Sequence, residues 1–150
     1  MTLKDRLTED MKVAIKAKEE GKLRLSVIRM AKAAIKNAEI EKRQEFSDVQ
    51  VIEVLAREVK MRRDALAEFA KADRPEMVKQ LEDEIAILME YLPQQLSEAE
   101  IRQLAQETIA AVGAQGPKDL GKVMGALTPK TKGRADGKLV NQVVRELLGS

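Results

Sequence analysis

Four groups of residues in this 150-residue chain have types and spacings that could do chemistry. Gly116-Pro117-Lys118-Asp119-Leu120-Gly121-Lys122 fits the G-x-x-x-x-G-K frame of a phosphate-cradling loop. The next residue is Val123, where magnesium ligation needs Ser or Thr, and the preceding segment has a helical period, whereas a P-loop joins a strand to a helix. The match is read as coincidental. Glu82, Asp83 and Glu84 are adjacent, so at about 100° per residue they fan out around a helix and do not face one another. Glu98 and Glu100 stand where carboxylates stabilise a helix start. Ser26, Ser47 and Ser97 have no histidine to activate them, because the chain contains none. It also lacks cysteine, which removes disulfides, thiolate chemistry and any ordinary structural zinc site. A lysine acting as base is the catalytic option that composition leaves open. No catalytic residue, metal site or cofactor is expected.

The fourth group is basic. From residue 118 to 138 the cations are Lys118, Lys122, Lys130, Lys132, Arg134 and Lys138, against only Asp119 and Asp136. They alternate with Gly121, Gly125, Gly133 and Gly137. Glycine lets a backbone come close to a ligand, and free amides at helix starts favour anions, so phosphate oxygens are the natural ligand. The same composition also serves a solvated turn. A secondary basic face is formed by Arg29, Lys32 and Lys36, within a run from Lys22 and Arg24 that meets no acid before Glu39. Arg62 and Arg63 are placed to join it from a neighbouring helix. Arg62 also occupies a seam position, where an acid is expected to anchor it. Only Phe46, Phe69 and Tyr91 are aromatic. Single strands are held by stacking on such rings, so a folded RNA contacted through backbone and shape is the better-matched nucleic acid.

These residues must be positioned by helices. The apolar set is mostly Ala, Leu, Val, Ile and Met, which lose little rotamer freedom in a helix. Leu3, Leu7, Met11 and Ile15 mark a first helix, with Gly21 as its stop. Leu25, Ile28, Ala31 and Ile35 mark a second, running to about Phe46. Ser47-Asp48-Val49-Gln50 reads as a capping box opening a third, on Ile52, Leu55, Val59, Leu66 and Phe69. Asp73 reads as the cap of a fourth, with Pro75 in its first turn and Met77, Leu81, Ile85, Leu88 and Leu92 inward. Pro93 stops it. Ser97 to Glu100 is a second capping box, opening a helix on Ile101, Leu104, Ala105, Thr108, Ile109 and Val112. Leu120, Val123, Met124 and Leu127 make a short helix that Thr128-Pro129 is expected to end. Lys130 to Gly137 reads as a loop, and Val140, Val143, Val144, Leu147 and Leu148 form the last helix. The fold class is all-α: an antiparallel bundle of about four helices over residues 1–93, then a small three-helix domain over 94–150.

The string Lys118 to Gly125, followed by Lys130 to Asn141, resembles the YqeY family, and is similar to the tail domain of GatB, the B subunit of the tRNA-dependent amidotransferase. Val27 to Asn37 and Arg62-Arg63-Asp64-Ala65 extend the YqeY resemblance over essentially the whole chain. The resemblance implies a tRNA- or structured-RNA-binding module, accessory to tRNA amidation or aminoacylation, with tRNA contacts at Lys118, Lys122, Lys130, Lys132, Arg134 and Lys138. A family-level label of carbon–nitrogen ligase with glutamine as amido-N-donor follows from the amidotransferase, whose catalytic domains have no counterpart here. Two other readings stand beside it: a protein-interaction adaptor docking through the N-terminal bundle, and a component of a glutamine-dependent amidotransferase. No apolar stretch approaches the roughly 20 residues of a membrane span. The N-terminal residues mix acids and bases, unlike a secretory leader, so the expected location is the cytoplasm.

Overall fold

The computed structural model describes residues 1–149. Seven α-helices account for most of them: α1 (Leu3–Lys16), α2 (Lys22–Lys42), α3 (Asp48–Lys71), α4 (Pro75–Met89), α5 (Glu98–Val112), α6 (Leu120–Thr131) and α7 (Gly137–Leu148). Short 3₁₀ turns at Lys18–Gly21 and Pro117–Asp119 precede α2 and α6. The chain divides into two compact units, Met1–Leu92 and Pro93–Ser150. The first is a four-helix bundle and the second a three-helix domain, as the periodicity predicts.

Local signals set most of the helix ends. The Ser47/Gln50 and Ser97/Glu100 capping boxes both form, and Thr2 with Asp5 makes a third at the start of α1. Several predicted ends shift. Successive steps of four residues drift by about 40° each, so Ile15 leaves the stripe begun at Leu3; it is about half exposed and Ala14 is buried instead. Helix α2 stops at Lys42, before Phe46. Arg43 turns left-handed at φ 55° and the Gln44 amide returns to the Glu39 carbonyl at 3.1 Å, which sends Phe46 back into the core. Asp73 does not cap α4: it takes φ 55° itself, which leaves Arg74 at the cap and Pro75 as the first helical residue. Thr128-Pro129 does not end α6, which runs to Thr131. Pro129 lies on the exposed side, where water can satisfy the carbonyl its missing N–H leaves open.

In the first unit, α1 and α2 form an antiparallel pair, with Lys4 meeting Glu39 and Thr8 meeting Lys32. Close approach at their turn depends on Gly21, where a Cβ would run into the Ala14 backbone. Leu7, Ile28, Leu55 and Leu88 lie at the centre of the core. Tyr91 closes its end: the hydroxyl donates to Asp10, burial raises its pKa, and the Arg6 guanidinium stacks 4.7 Å above the ring. In the second unit Ile101, Ala105, Val123, Leu127, Val140, Val143, Val144 and Leu148 form the core.

Helix α3 buries Val51, Leu55, Val59 and then Arg62, steps of four, four and three that continue one stripe. A guanidinium in that stripe needs acids. The Arg62 Nε donates to Glu84 at 2.9 Å, and one terminal nitrogen donates to the Glu58 carbonyl at 3.1 Å and to its carboxylate at 3.2 Å. Gln80 donates to the other Glu84 oxygen at 3.0 Å. Among the described residues no buried side-chain nitrogen or oxygen lacks a partner. Removing one partner of such a pair strands a buried charge, which costs about 3–5 kcal/mol, whereas replacing both by apolar groups is often neutral. Arg62→Met should therefore lose about that much stability in denaturant unfolding, and Arg62→Met with Glu84→Leu should regain most of it. Equal losses in the single and double variants would contradict the pairing.

Candidate functional site

The six cations between residues 118 and 138 are arranged around α6, five of them exposed in two groups at its ends. Lys118, in the 3₁₀ turn, and Lys122, in the first turn of α6, are exposed at one end. Lys130, Lys132 and Lys138 are exposed at the other, where α6 gives way to α7. Eight residues separate Lys122 from Lys130, about 12 Å of helix rise. That spread suits several phosphates on one backbone better than a single small anion. The predicted loop is shorter than its composition suggests: Lys130 and Thr131 are helical, and the turn covers residues 132–136. Gly133 takes φ 75° in it, a conformation that favours glycine.

Arg134 differs from the other five. It is half-buried, its Nε donates to the Gln94 carbonyl at 3.3 Å, and its own carbonyl accepts from the Leu96 amide at 2.8 Å. The Gln95 side chain adds bonds to the Gly133 and Pro93 carbonyls at 2.9 and 2.8 Å. Residues 93–96 are thus stitched to the turn that carries the basic cluster. No periodicity marks Gln95, and no signal in the sequence distinguishes it from the neighbouring Gln94.

Exposed glycines complete this surface. Gly121, Gly125 and Thr128 line one strip of α6, pointing away from buried Val123, Leu127 and Thr131. A Cβ at Gly121 or Gly125 would meet nothing within 4 Å, and neither has positive φ. Neither packing nor φ requires glycine there, although Gly125, inside the helix, weakens it by roughly 0.5–1 kcal/mol relative to alanine.

The first unit scatters its predicted basic face. Arg29 and Lys36 are exposed on α2, and half-buried Lys32 donates to the Thr8 hydroxyl. Arg62 is buried in the seam, so its charge is not offered to solvent. Arg63 is half-buried and lies against the Met89 sulfur at 4.0 Å. Lys22 is exposed, while Arg24 pairs with Glu90 at 2.9 Å.

Two of the three clustered acids are held in ion pairs. Asp83 pairs with Lys79 at 2.7 Å, Glu84 holds Arg62, and Glu82 is exposed. The Ser97 amide and hydroxyl hold the Glu100 carboxyl below its ordinary value, which keeps it a charged cap. The residues of the P-loop frame form a 3₁₀ turn and a helix start after helix α5, not a strand-to-helix loop.

The family described as Yqey-like protein (YqeY) matches residues 4–148. Two yeast proteins, each called altered inheritance of mitochondria protein 41, mitochondrial, are also similar. The one from Kluyveromyces lactis is 37% identical over 86 residues, 57% of this chain and 45% of that protein. The one from Lachancea thermotolerans is 35% identical over 98 residues, 63% of this chain and 51% of that protein. The chain therefore spans about half the length of the relatives it matches. Their names overturn the cytoplasmic expectation. That expectation rested on the lack of an apolar secretory stretch, a test that does not address mitochondrial targeting, which uses amphipathic arginine-rich segments. No described helix is long and apolar enough to cross a membrane.

The two kinds of glycine separate experimentally. Gly125→Ala should stabilise the second unit by roughly 0.5–1 kcal/mol, because the helix gains propensity and the methyl meets open space. Gly21→Ala should instead destabilise the first by about 1–3 kcal/mol, the cost of forcing an added methyl into packed backbone. Denaturant unfolding of both variants checks this, and a loss at Gly125 would show that glycine there serves the fold.

Proposed function

The chain belongs to the YqeY family, matched over residues 4–148, and on that premise we propose that its second unit is a non-catalytic binding surface for folded RNA, tRNA in particular. One observation carries the reading: the outward strip of α6 bears glycines that the fold does not need, with exposed lysines at both of its ends. Bare backbone allows close approach, and the lysines neutralise phosphates along the path. All three aromatic residues lie within residues 1–92, so the second unit has no ring on which to stack a base. Recognition of backbone and shape fits that inventory. An accessory role in tRNA amidation or aminoacylation is consistent with this surface, and catalysis of amide transfer by this chain alone forms no part of the proposal.

The test is binding to bulk tRNA across a salt series, with duplex DNA and poly(A) for comparison. Lys118→Glu, Lys122→Glu and Lys130→Glu combined should weaken tRNA binding by about tenfold or more and flatten the log–log salt slope by roughly two to three units. Arg134 is left intact because it also holds the Gln94 carbonyl. Unchanged affinity and slope in the triple variant would overturn the proposal, as would equal affinity of the parent protein for all three nucleic acids.

A further inference from the structure

The chain has no cysteine, so its oxidisable sulfur is carried by seven methionines alone. Two of those within helices are open to solvent: Met30 on α2 is 50% exposed and Met61 on α3 is 56% exposed. Their surroundings differ. The Met61 sulfur makes no hydrogen bond among the described residues. The Met30 sulfur lies 3.8 Å from a terminal nitrogen of Arg62, a side chain in a residue only 6% exposed. The rest of that guanidinium is committed. Its Nε donates to Glu84 at 2.9 Å, and its other terminal nitrogen donates to the Glu58 carbonyl and carboxylate. Gln80 occupies the second Glu84 oxygen. A thioether is a weak acceptor, so the nitrogen facing Met30 is a buried, charged donor matched with a poor partner. That contact is also where the network reaches α2, since Glu58 lies on α3 and Gln80 and Glu84 on α4.

We propose that Met30 is a site of reversible oxidation whose sulfoxide is received by Arg62, and that the added oxygen ties α2 to the α3–α4 ion pair. A hydroperoxide is the oxidant. Its O–O bond breaks as the sulfur lone pair forms an S–O bond, and the sulfur is oxidised by two electrons. The proton on the transferred oxygen passes to the oxygen that leaves, as water or an alcohol. A thiol-dependent sulfoxide reductase reverses the change, two thiols closing to a disulfide while the oxygen departs as water. A sulfoxide oxygen is a far better acceptor than a thioether, and it projects from a sulfur that already faces the Arg62 nitrogen. In a packed core the same oxygen finds no partner and costs stability. Met30 has both an access route for peroxide and a buried cation to take the product. Met61 has the first without the second, so its oxidation brings no such gain. The site rests on the first unit alone, so its failure would leave the RNA reading of the second untouched.

The experiment treats the full chain, carrying Met61→Leu to silence that position, with limiting hydrogen peroxide. Peptide mass spectrometry reads the oxidised positions and denaturant unfolding reads stability. Met30 should take up one oxygen, and the oxidised chain should gain about fivefold or more in its folding equilibrium constant, the scale of a hydrogen bond to a charged group replacing a weak contact. The gain should vanish when Met30→Leu is added, which also subtracts any effect of oxidation at Met1. It should turn into a loss when Arg62→Leu and Glu84→Leu together remove the ion pair. Met30→Gln offers an amide oxygen to the same donor without any oxidation, and should unfold at higher denaturant than Met30→Leu. The proposal is overturned if Met30 stays unoxidised while Met1 reacts, if oxidation at Met30 lowers stability with Arg62 in place, or if the gain persists without Arg62. It is equally overturned if Met30→Gln is no more stable than Met30→Leu.

Discussion

With three aromatic residues in 150, the chain must fill its interior with aliphatic side chains, and much of the structure follows from that constraint. Small side chains fill an interior only if helices approach closely. Gly21 is needed because α1 and α2 turn so tightly that a Cβ would strike Ala14, and Ala31 and Ala105 are almost fully buried for the same reason. Volume also comes from unusual sources. Arg62 fills the α3 seam where a large apolar residue would otherwise sit, with Glu84 and Glu58 neutralising its head. Tyr91 supplies one of the few large rings, and its hydroxyl finds Asp10. The second unit has no aromatic at all and builds its core from Ile, Leu, Val and Ala.

Aliphatic helices of this kind are legible because period and caps agree. The boxes at Ser47 and Ser97 place two helix starts, and Arg62 in a seam position leads directly to a buried acid. What the sequence hides is set by geometry that a repeat does not encode. A strict four-residue spacing predicts Ile15 inside, yet the turn of the helix carries it outward. Proline at 129 reads as an end, but an exposed proline is compatible with one more turn. Asp73 and Arg43 enter the left-handed region without glycine, which no composition rule reports.

The candidate site divides in the same way. Residue types located the cations of the second unit, because lysine and glycine alternate there whatever the backbone does. Their grouping was not legible: it depends on α6 continuing through Pro129 and on Gln95 and Arg134 fastening residues 93–96 to the turn. That fastening gives Arg134 a structural task beside any ligand contact. On the first unit, burial of Arg62 splits a cluster that sequence spacing had joined, and its contact with the Met30 sulfur emerges only when α2 and α3 are packed.

Exposed glycine in the interior of α6, at Gly125, is a cost to stability that packing does not return, and under the proposed function it serves a bound RNA. Hydrogen exchange of the full chain with and without bulk tRNA tests this most directly. Slowed exchange is expected, confined to the amides of residues 116–125 and 130–138. Protection confined to residues 1–92, or no change in the second unit at saturating tRNA, would contradict it.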